Sequence, residues 1–244
     1  MSVLLRAARR IENICFDVIF PRQCALCDDE GSLLCTGCKR DLTVWPEGLC
    51  AWCSSVDNGS NICDECAPQW GIQGLWIGYR YDDEKVASLV HSLKFQYQES
   101  LGDDMGLLLS QQIARLPSEI ESIIPIPLDR KRKKERGFNQ AYCIAKAMTI
   151  RCGVAVNERL LFRTISRAPQ ATLDAVSREK NIQGVYQVRA SDNMPRCVLL
   201  IDDVTTTGST LREAASILRE AGVSHIYALV FAHGTPPENI NKTS

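Results

Sequence analysis

The stretch Val198-Leu199-Leu200-Ile201-Asp202-Asp203-Val204-Thr205-Thr206-Thr207-Gly208-Ser209-Thr210 decides the fold. Cys197 to Ile201 is a continuous apolar run, the pattern of a strand buried on both faces. It ends in two carboxylates, passes through a hydroxyl-rich turn and enters a helical pattern from Leu211 to Ala221, closed by Gly222. A second apolar strand follows from His225 to Ala232. Strand, short loop, helix and strand make a βαβ unit with parallel strands. The turn sets backbone N–H groups and the hydroxyls of Thr205, Thr206, Thr207, Ser209 and Thr210 at a helix N-terminus, where the dipole and the unpaired donors favour phosphate. Gly208 lets the backbone approach the anion closely. No G-x-x-x-x-G-K-[ST] occurs, which argues against a Walker-type ATPase, and without a lysine the loop suits a monophosphate held by hydrogen bonds. Asp202 and Asp203 stand at a strand's C-terminal end, where open α/β sheets bind ligands. They are expected to meet ribose hydroxyls and to stabilise a cationic sugar carbon; the competing reading is a solvated strand end.

Away from this unit, the chain of 244 residues divides by its cysteines. Eight of the twelve form four C-x-x-C pairs: Cys24/Cys27, Cys35/Cys38, Cys50/Cys53 and Cys63/Cys66. Each knuckle turns two sulfurs toward one ion, and two knuckles complete a closed tetrahedral thiolate shell, which is structural rather than catalytic. Consecutive pairing closes the shorter loops and is expected on entropic grounds. Disulfides would need an oxidising compartment. Iron–sulfur ligation stays open on cysteines alone, but paired knuckles at short spacing favour zinc. So short a segment has little core of its own, and metal binding is expected to drive its folding. The expected organisation is an N-terminal helix over 1–20, a double zinc-ribbon module over 21–70 and an α/β domain over 71–244.

Upstream of the decisive stretch, Ile123 to Ile126 reads as another strand, with Leu128 to Arg136 as the loop after it. Arg130, Lys131, Arg132, Lys133, Lys134 and Arg136 make that segment densely basic. Three readings stay open for it: a pyrophosphate site, a clamp on nucleic-acid phosphates, and a solvated charged face. Asn139 to Arg151 continues as a helix whose apolar stripe is core. Lys94 follows a helical pattern in which His91 is read as packing or surface, and Trp45, Trp52, Trp70 and Trp76 are either stacking platforms or the small core of the cysteine module.

Val198 to Thr210 resembles the PRPP-binding signature of type I phosphoribosyltransferases. With Ile124-Pro125-Ile126-Pro127-Leu128, Arg136-Gly137-Phe138-Asn139-Gln140, Phe20-Pro21, Leu93-Lys94-Phe95, Arg178-x-x-Asn181 and the cysteine knuckles, nearly the whole chain is similar to the ComF (competence protein F, GntX-like) family. The resemblance implies a parallel Rossmann-like sheet flanked by helices, with a small N-terminal zinc-ribbon module. It implies Asp202 and Asp203 as the catalytic pair, Thr205 to Thr210 on the 5′-phosphate of PRPP, Arg130 to Arg136 on pyrophosphate with Mg²⁺, and a flexible loop contributing Arg178 and Lys180. Lys94 becomes a candidate active-site cation. A variable hood, sought here in residues 75 to 120, would select the acceptor.

The family name points to DNA uptake and its machinery, giving two functions to separate: phosphoribosyl transfer from PRPP, or a non-catalytic single-stranded DNA-binding accessory that retains the phosphate site. The net charge of −1 gives no global sign of nucleic-acid binding, so any such surface is local. No stretch is apolar and long enough to span a bilayer, and Arg6, Arg9 and Arg10 break the opening segment, so a cytoplasmic protein is expected.

Overall fold

The computed structural model describes residues 22–56, 59–95, 99–164, 184–189 and 193–234. The expected helix over 1–20 and the loop cations Arg178 and Lys180 lie outside them. The chain divides into two compact units, Met1–Leu42 and Thr43–Ser244.

The first unit holds a helical turn, α1 (Thr36–Arg40), whose N-cap is Cys35. The second unit runs through α2 (Ala67–Trp70), β1 (Gly74–Arg80), α3 (Glu84–Phe95), α4 (Glu99–Leu109) and a 3-10 segment, Ser110–Arg115. It continues through β2 (Ser122–Pro125), α5 (Arg130–Arg136), α6 (Gln140–Cys152), β3 (Leu161–Arg163) and β4 (Tyr186–Val188). The last elements are β5 (Cys197–Thr205), α7 (Ser209–Glu220) and β6 (His225–His233).

Four strands form one sheet in the order β1-β6-β5-β2, and every neighbouring pair is parallel. β5 lies inside it, with Leu200 opposite Ala228 on one side and Ile124 on the other. Cys197 to Ile201 are all buried, as the unbroken apolar run requires when helices cover both faces. Each such aliphatic side chain contributes about 1.5–3 kcal/mol relative to exposure. β3 and β4 pair separately as an antiparallel ribbon.

Two expectations change. Residues 75 to 120 do not form a hood: β1 is a buried strand of the main sheet, and α4 packs on α6. Gly102 and Gly106 allow that close approach, since a Cβ on either would fall 2.5 Å from the Cβ of Cys143 or 2.7 Å from that of Ala147. The basic segment is not a loop but helix α5. Asp129 caps it by accepting from Lys131 N and Arg132 N, Gly137 ends it at φ 80°, and Lys and Arg are good helix formers between the two signals.

Candidate functional site

β5 delivers Asp202 and Asp203 to the C-terminal edge of the sheet. Each carboxylate is oriented by the amide after it: Asp203 N donates to Asp202 Oδ1 at 2.9 Å and Val204 N to Asp203 Oδ1 at 2.7 Å. Burial, and then the charge of Asp203, hold the Asp202 carboxyl well above the ordinary carboxylate range. Asp203 is 8% exposed and carries the ammonium of Lys94, with Nζ 3.0 Å from Oδ2. Lys94 comes from the last turn of α3. Asp83, immediately before that helix, accepts from Lys85 N through its carboxylate at 2.7 Å.

Thr205 is the last residue of β5, registered with His233, and its carbonyl accepts from Gly234 N. Thr206 is exposed, and Thr207 Oγ1 lies 3.1 Å from Ser209 Oγ. Gly208 is the N-cap of α7 at φ 68° and has no side chain to cap the helix, while Ser209 N reaches Thr207 Oγ1 at a long 3.5 Å. The helix N-terminus so formed presents donors for an anion.

A cavity of about 200 Å³ opens beside these carboxylates. Lys94, Arg132, Arg136, Asn139, Gln140, Arg163, Tyr186, Asp202, Asp203 and Thr210 line it. Four cations thus face two acids. Arg132 and Arg136 are one helical turn apart and share a face of α5. Arg130, Lys131, Lys133 and Lys134 are exposed and do not line the cavity. Arg136 lies over the Phe95 ring at 5.1 Å, donates to Gln140 Oε1 at 3.2 Å, and has its pKa lowered by burial. Burial, then the nearby Asp202 charge, push Tyr186 up to about 12. Gln140 is 2% exposed, and its Nε2 has no partner among the described residues, leaving a donor in the cavity wall.

Asn139, Gln140, Arg163 and Tyr186 carried no assigned role in the sequence. The first two sit in the Arg136–Gln140 stretch that bears the family resemblance, so a signal existed. Asn139 reaches back from the N-cap of α6 to bond Ile126 O at 3.0 Å, tying the helix start to the end of β2. Arg163 and Tyr186 come from the antiparallel ribbon, and only the fold brings them here. Trp70 and Trp76 are core residues at 2% and 5% exposure, not open stacking platforms, while Trp45 and Trp52 are half-buried.

The cysteines gather as two groups, Cys24, Cys27, Cys35 and Cys38, and Cys50, Cys53, Cys63 and Cys66, with the sulfurs of each group within 4.8 Å of one another. A tetrahedral ion with bonds of about 2.3 Å separates its sulfurs by about 3.8 Å. Cys27 and Cys35 Sγ stand 3.7 Å apart, and Cys53 and Cys63 Sγ 3.6 Å. Cys35 N and Cys38 N point at Cys24 Sγ and Cys35 Sγ from 3.4 Å, as amides stabilise thiolates.

The two leading knuckles repeat one another. Asp28 N bonds Cys24 O and Ser54 N bonds Cys50 O, and both residues take a left-handed backbone, at φ 60° and 59°. The bridges Gln23–Glu30 and Leu49–Val56 frame them identically. The donor set, its spacing and this repeat fit two structural zinc ions.

Parallel strands ending in paired acids beside a hydroxyl-rich turn, in a chain with an N-terminal cysteine-rich zinc-ribbon module, define an α/β protein with a ligand-binding strand end. The double zinc ribbon domain family matches residues 15–68. Competence protein F of Haemophilus influenzae is 30% identical over 207 residues, covering 79% of this chain and 87% of the relative. DNA utilization protein YhgH of Salmonella typhi is 26% identical over 213 residues, covering 79% and 93%. The chain belongs to the ComF family. Among solved structures, glutamine phosphoribosylpyrophosphate (PRPP) amidotransferase from B. subtilis, complexed with ADP and GMP, is similar with a TM-score of 0.37 at 17% identity, over 54% of this chain and 26% of that one. Among the described residues no helix is long and apolar enough to cross a membrane.

Proposed function

We propose that the strand-end cavity binds PRPP or a related ribose 5-phosphate ligand, in a protein that serves the uptake or use of DNA. The observation that carries the ligand is the convergence on one cavity of the Asp202–Asp203 pair, Thr210 of the hydroxyl loop and the cations Lys94, Arg132, Arg136 and Arg163. The names of the relatives, competence protein F and DNA utilization protein YhgH, support the wider role.

In this reading Thr206 to Thr210 and the first amides of α7 hold the 5′-phosphate. Asp202 and Asp203 take the ribose hydroxyls. Arg132 and Arg136 meet the pyrophosphate, and with Arg163 they offset the charge that grows as it leaves C1. The carboxylate pair stabilises the cationic sugar carbon left behind. The same carboxylate oxygens are hard donors suited to Mg²⁺ arriving on the ligand's phosphates, and a bound Mg²⁺ would add further charge neutralisation.

Calorimetric titration with Mg²⁺-PRPP tests the reading. Saturable binding, lost in the Asp202→Asn/Asp203→Asn double variant, is expected; no binding at millimolar PRPP ends it.

A second activity is favoured by one observation, the exposure of Arg130, Lys131, Lys133 and Lys134 away from the cavity lining. These residues form a surface for the phosphates of single-stranded DNA. Neutralising Lys131, Lys133 and Lys134 is then expected to weaken DNA binding and flatten its salt dependence, by about 0.7 in log–log slope for each DNA phosphate left without its cation. PRPP titration of the same variant should be unchanged. DNA binding that survives the neutralisation would sink this second activity alone.

A further inference from the structure

The second cysteine site and the phosphate loop share a structural part. Cys66 is the N-cap of α2, so a metal-binding residue and Trp70 lie one helical turn apart on a segment closed by Pro68 near its start and Gly71 at its end. Trp70 is 2% exposed, and its six-membered ring rests on Gly208. A Cβ built on Gly208 would fall inside the envelope of Cζ3 and Cη2 and 2.7 Å from Cε3. The opposite knuckle reaches the same ring, since Trp52 meets Trp70 edge-on with centroids 5.5 Å apart.

Two arginines of α7 complete the joint. Arg219 Nη2 donates to Gly71 O at 2.8 Å, and Arg212 Nη2 to Thr207 O at 3.2 Å. Cys50, Cys63 and Cys66 belong to the same buried cluster as Leu211, Ala214, Ala215 and Leu218 of α7. The first cysteine group belongs to the other compact unit.

We propose that the second zinc site is a working part of the ligand site, with Trp70 as the positioning residue through which zinc occupancy and ligand binding at Thr206 to Thr210 favour one another. The proposal rests on the loop holding a sugar phosphate. Zinc fixes the course of α2, α2 fixes the indole, and the indole fixes the left-handed Gly208 that aims the first amides of α7. Coupling between binding sites is reciprocal, so a sugar phosphate on the loop must retain zinc at the second site.

The test uses the full zinc-loaded chain and ribose 5-phosphate as the probe, with zinc partition to a chromogenic chelator titrated to equilibrium. Two zinc affinities are expected, of which ribose 5-phosphate raises one by about fivefold or more and leaves the other unchanged. Trp70→Leu, still carrying both ions, should bind ribose 5-phosphate about tenfold more weakly and lose the gain in zinc affinity, whereas Trp70→Phe should recover part of both. Ribose 5-phosphate that binds without altering either zinc affinity would overturn the coupling. Undiminished binding by Trp70→Leu would overturn the positioning role. Failure of the wild-type chain to bind ribose 5-phosphate by calorimetry would instead remove the ligand reading itself. The wild-type chelator titration decides the coupling even where Trp70→Leu does not fold.

Discussion

Replacing Gly208 with alanine asks whether the phosphate loop is held by contact with Trp70 or by chain connectivity alone. The added methyl meets two separate penalties. At φ 68° the backbone is left-handed, which costs a residue with a Cβ about 1–2 kcal/mol. The Cβ also enters the Trp70 ring, which is 2% exposed and wedged against Trp52, so little can give way. Overpacking of this kind costs about 1–3 kcal/mol. The two sum to about 2–5 kcal/mol, and at about 2–4 °C per kcal/mol for a unit of this size the midpoint falls by roughly 4–20 °C.

A second substitution separates the two penalties. Trp70→Leu alone destabilises by leaving a cavity, but in Gly208→Ala/Trp70→Leu the methyl enters that space, so only the backbone cost persists. The double variant should therefore be more stable than the sum of the singles predicts by about 1–3 kcal/mol. Urea unfolding followed by circular dichroism measures all four members of the cycle. Additivity within about 0.5 kcal/mol would refute the reasoning, because it would mean that ring and loop do not press on each other.

Lys94→Met should destabilise by about 2–4 kcal/mol, because it strips the ammonium from a carboxylate that is 8% exposed, and Lys94→Met/Asp203→Asn should regain most of the loss in thermal melts. Asp202 has a folded pKa above its unfolded one, so the folded state holds the extra proton and stability should fall as pH rises from the ordinary carboxylate range through the raised value. Asp202→Asn should remove that decline and raise stability at pH 7 by about 0.5–2 kcal/mol while abolishing PRPP binding, which urea titrations across pH and calorimetry would check. His233 is fully buried with both ring nitrogens unpartnered among the described residues, and burial lowers its pKa to about 4. Here the unfolded state binds the proton first, so His233 should subtract stability as pH falls from about 6.5 toward 4. His233→Phe should flatten that part of the acid limb, and an unaltered limb would contradict it.

The central unit is legible in the sequence because its signals are local. An apolar run of strand length, two acids, a hydroxyl turn and a 3.6-residue pattern closed by Gly222 each arise within a few residues, and β5, α7 and β6 follow them closely. The knuckles are legible for the same reason, since two residues between cysteines fix the ligand geometry directly. Residues 75 to 120 mislead because position in the order of elements says nothing about sheet order. β1 enters the sheet beside β6, about 150 residues later in the chain, and only that pairing makes it core rather than cover. Arg163 and Tyr186 escape notice because a three-residue ribbon has too little pattern to announce itself. The Trp70–Gly208 contact joins two motifs that are each readable alone, and no single-sequence signal records that they touch.

The basic segment shows how helix formation resolves an ambiguity that charge alone leaves open. As a loop, all six cations would compete for one anion and repel one another around it. As a capped helix they are sorted by the 3.6-residue period. Arg132 and Arg136 fall on the face that lines the cavity, Arg132 while still exposed, and the other four do not line it. The pocket-facing pair are arginines, whose planar forks suit phosphate geometry, and Arg136 is braced by Phe95 and Gln140. Three of the outward four are lysines, strongly hydrated point charges on flexible stems. A small phosphorylated ligand needs the first arrangement, and a long polyanion gripped without a fixed register needs only the second. On the proposed reading, one seven-residue helix serves two anions without either occupying the other's place.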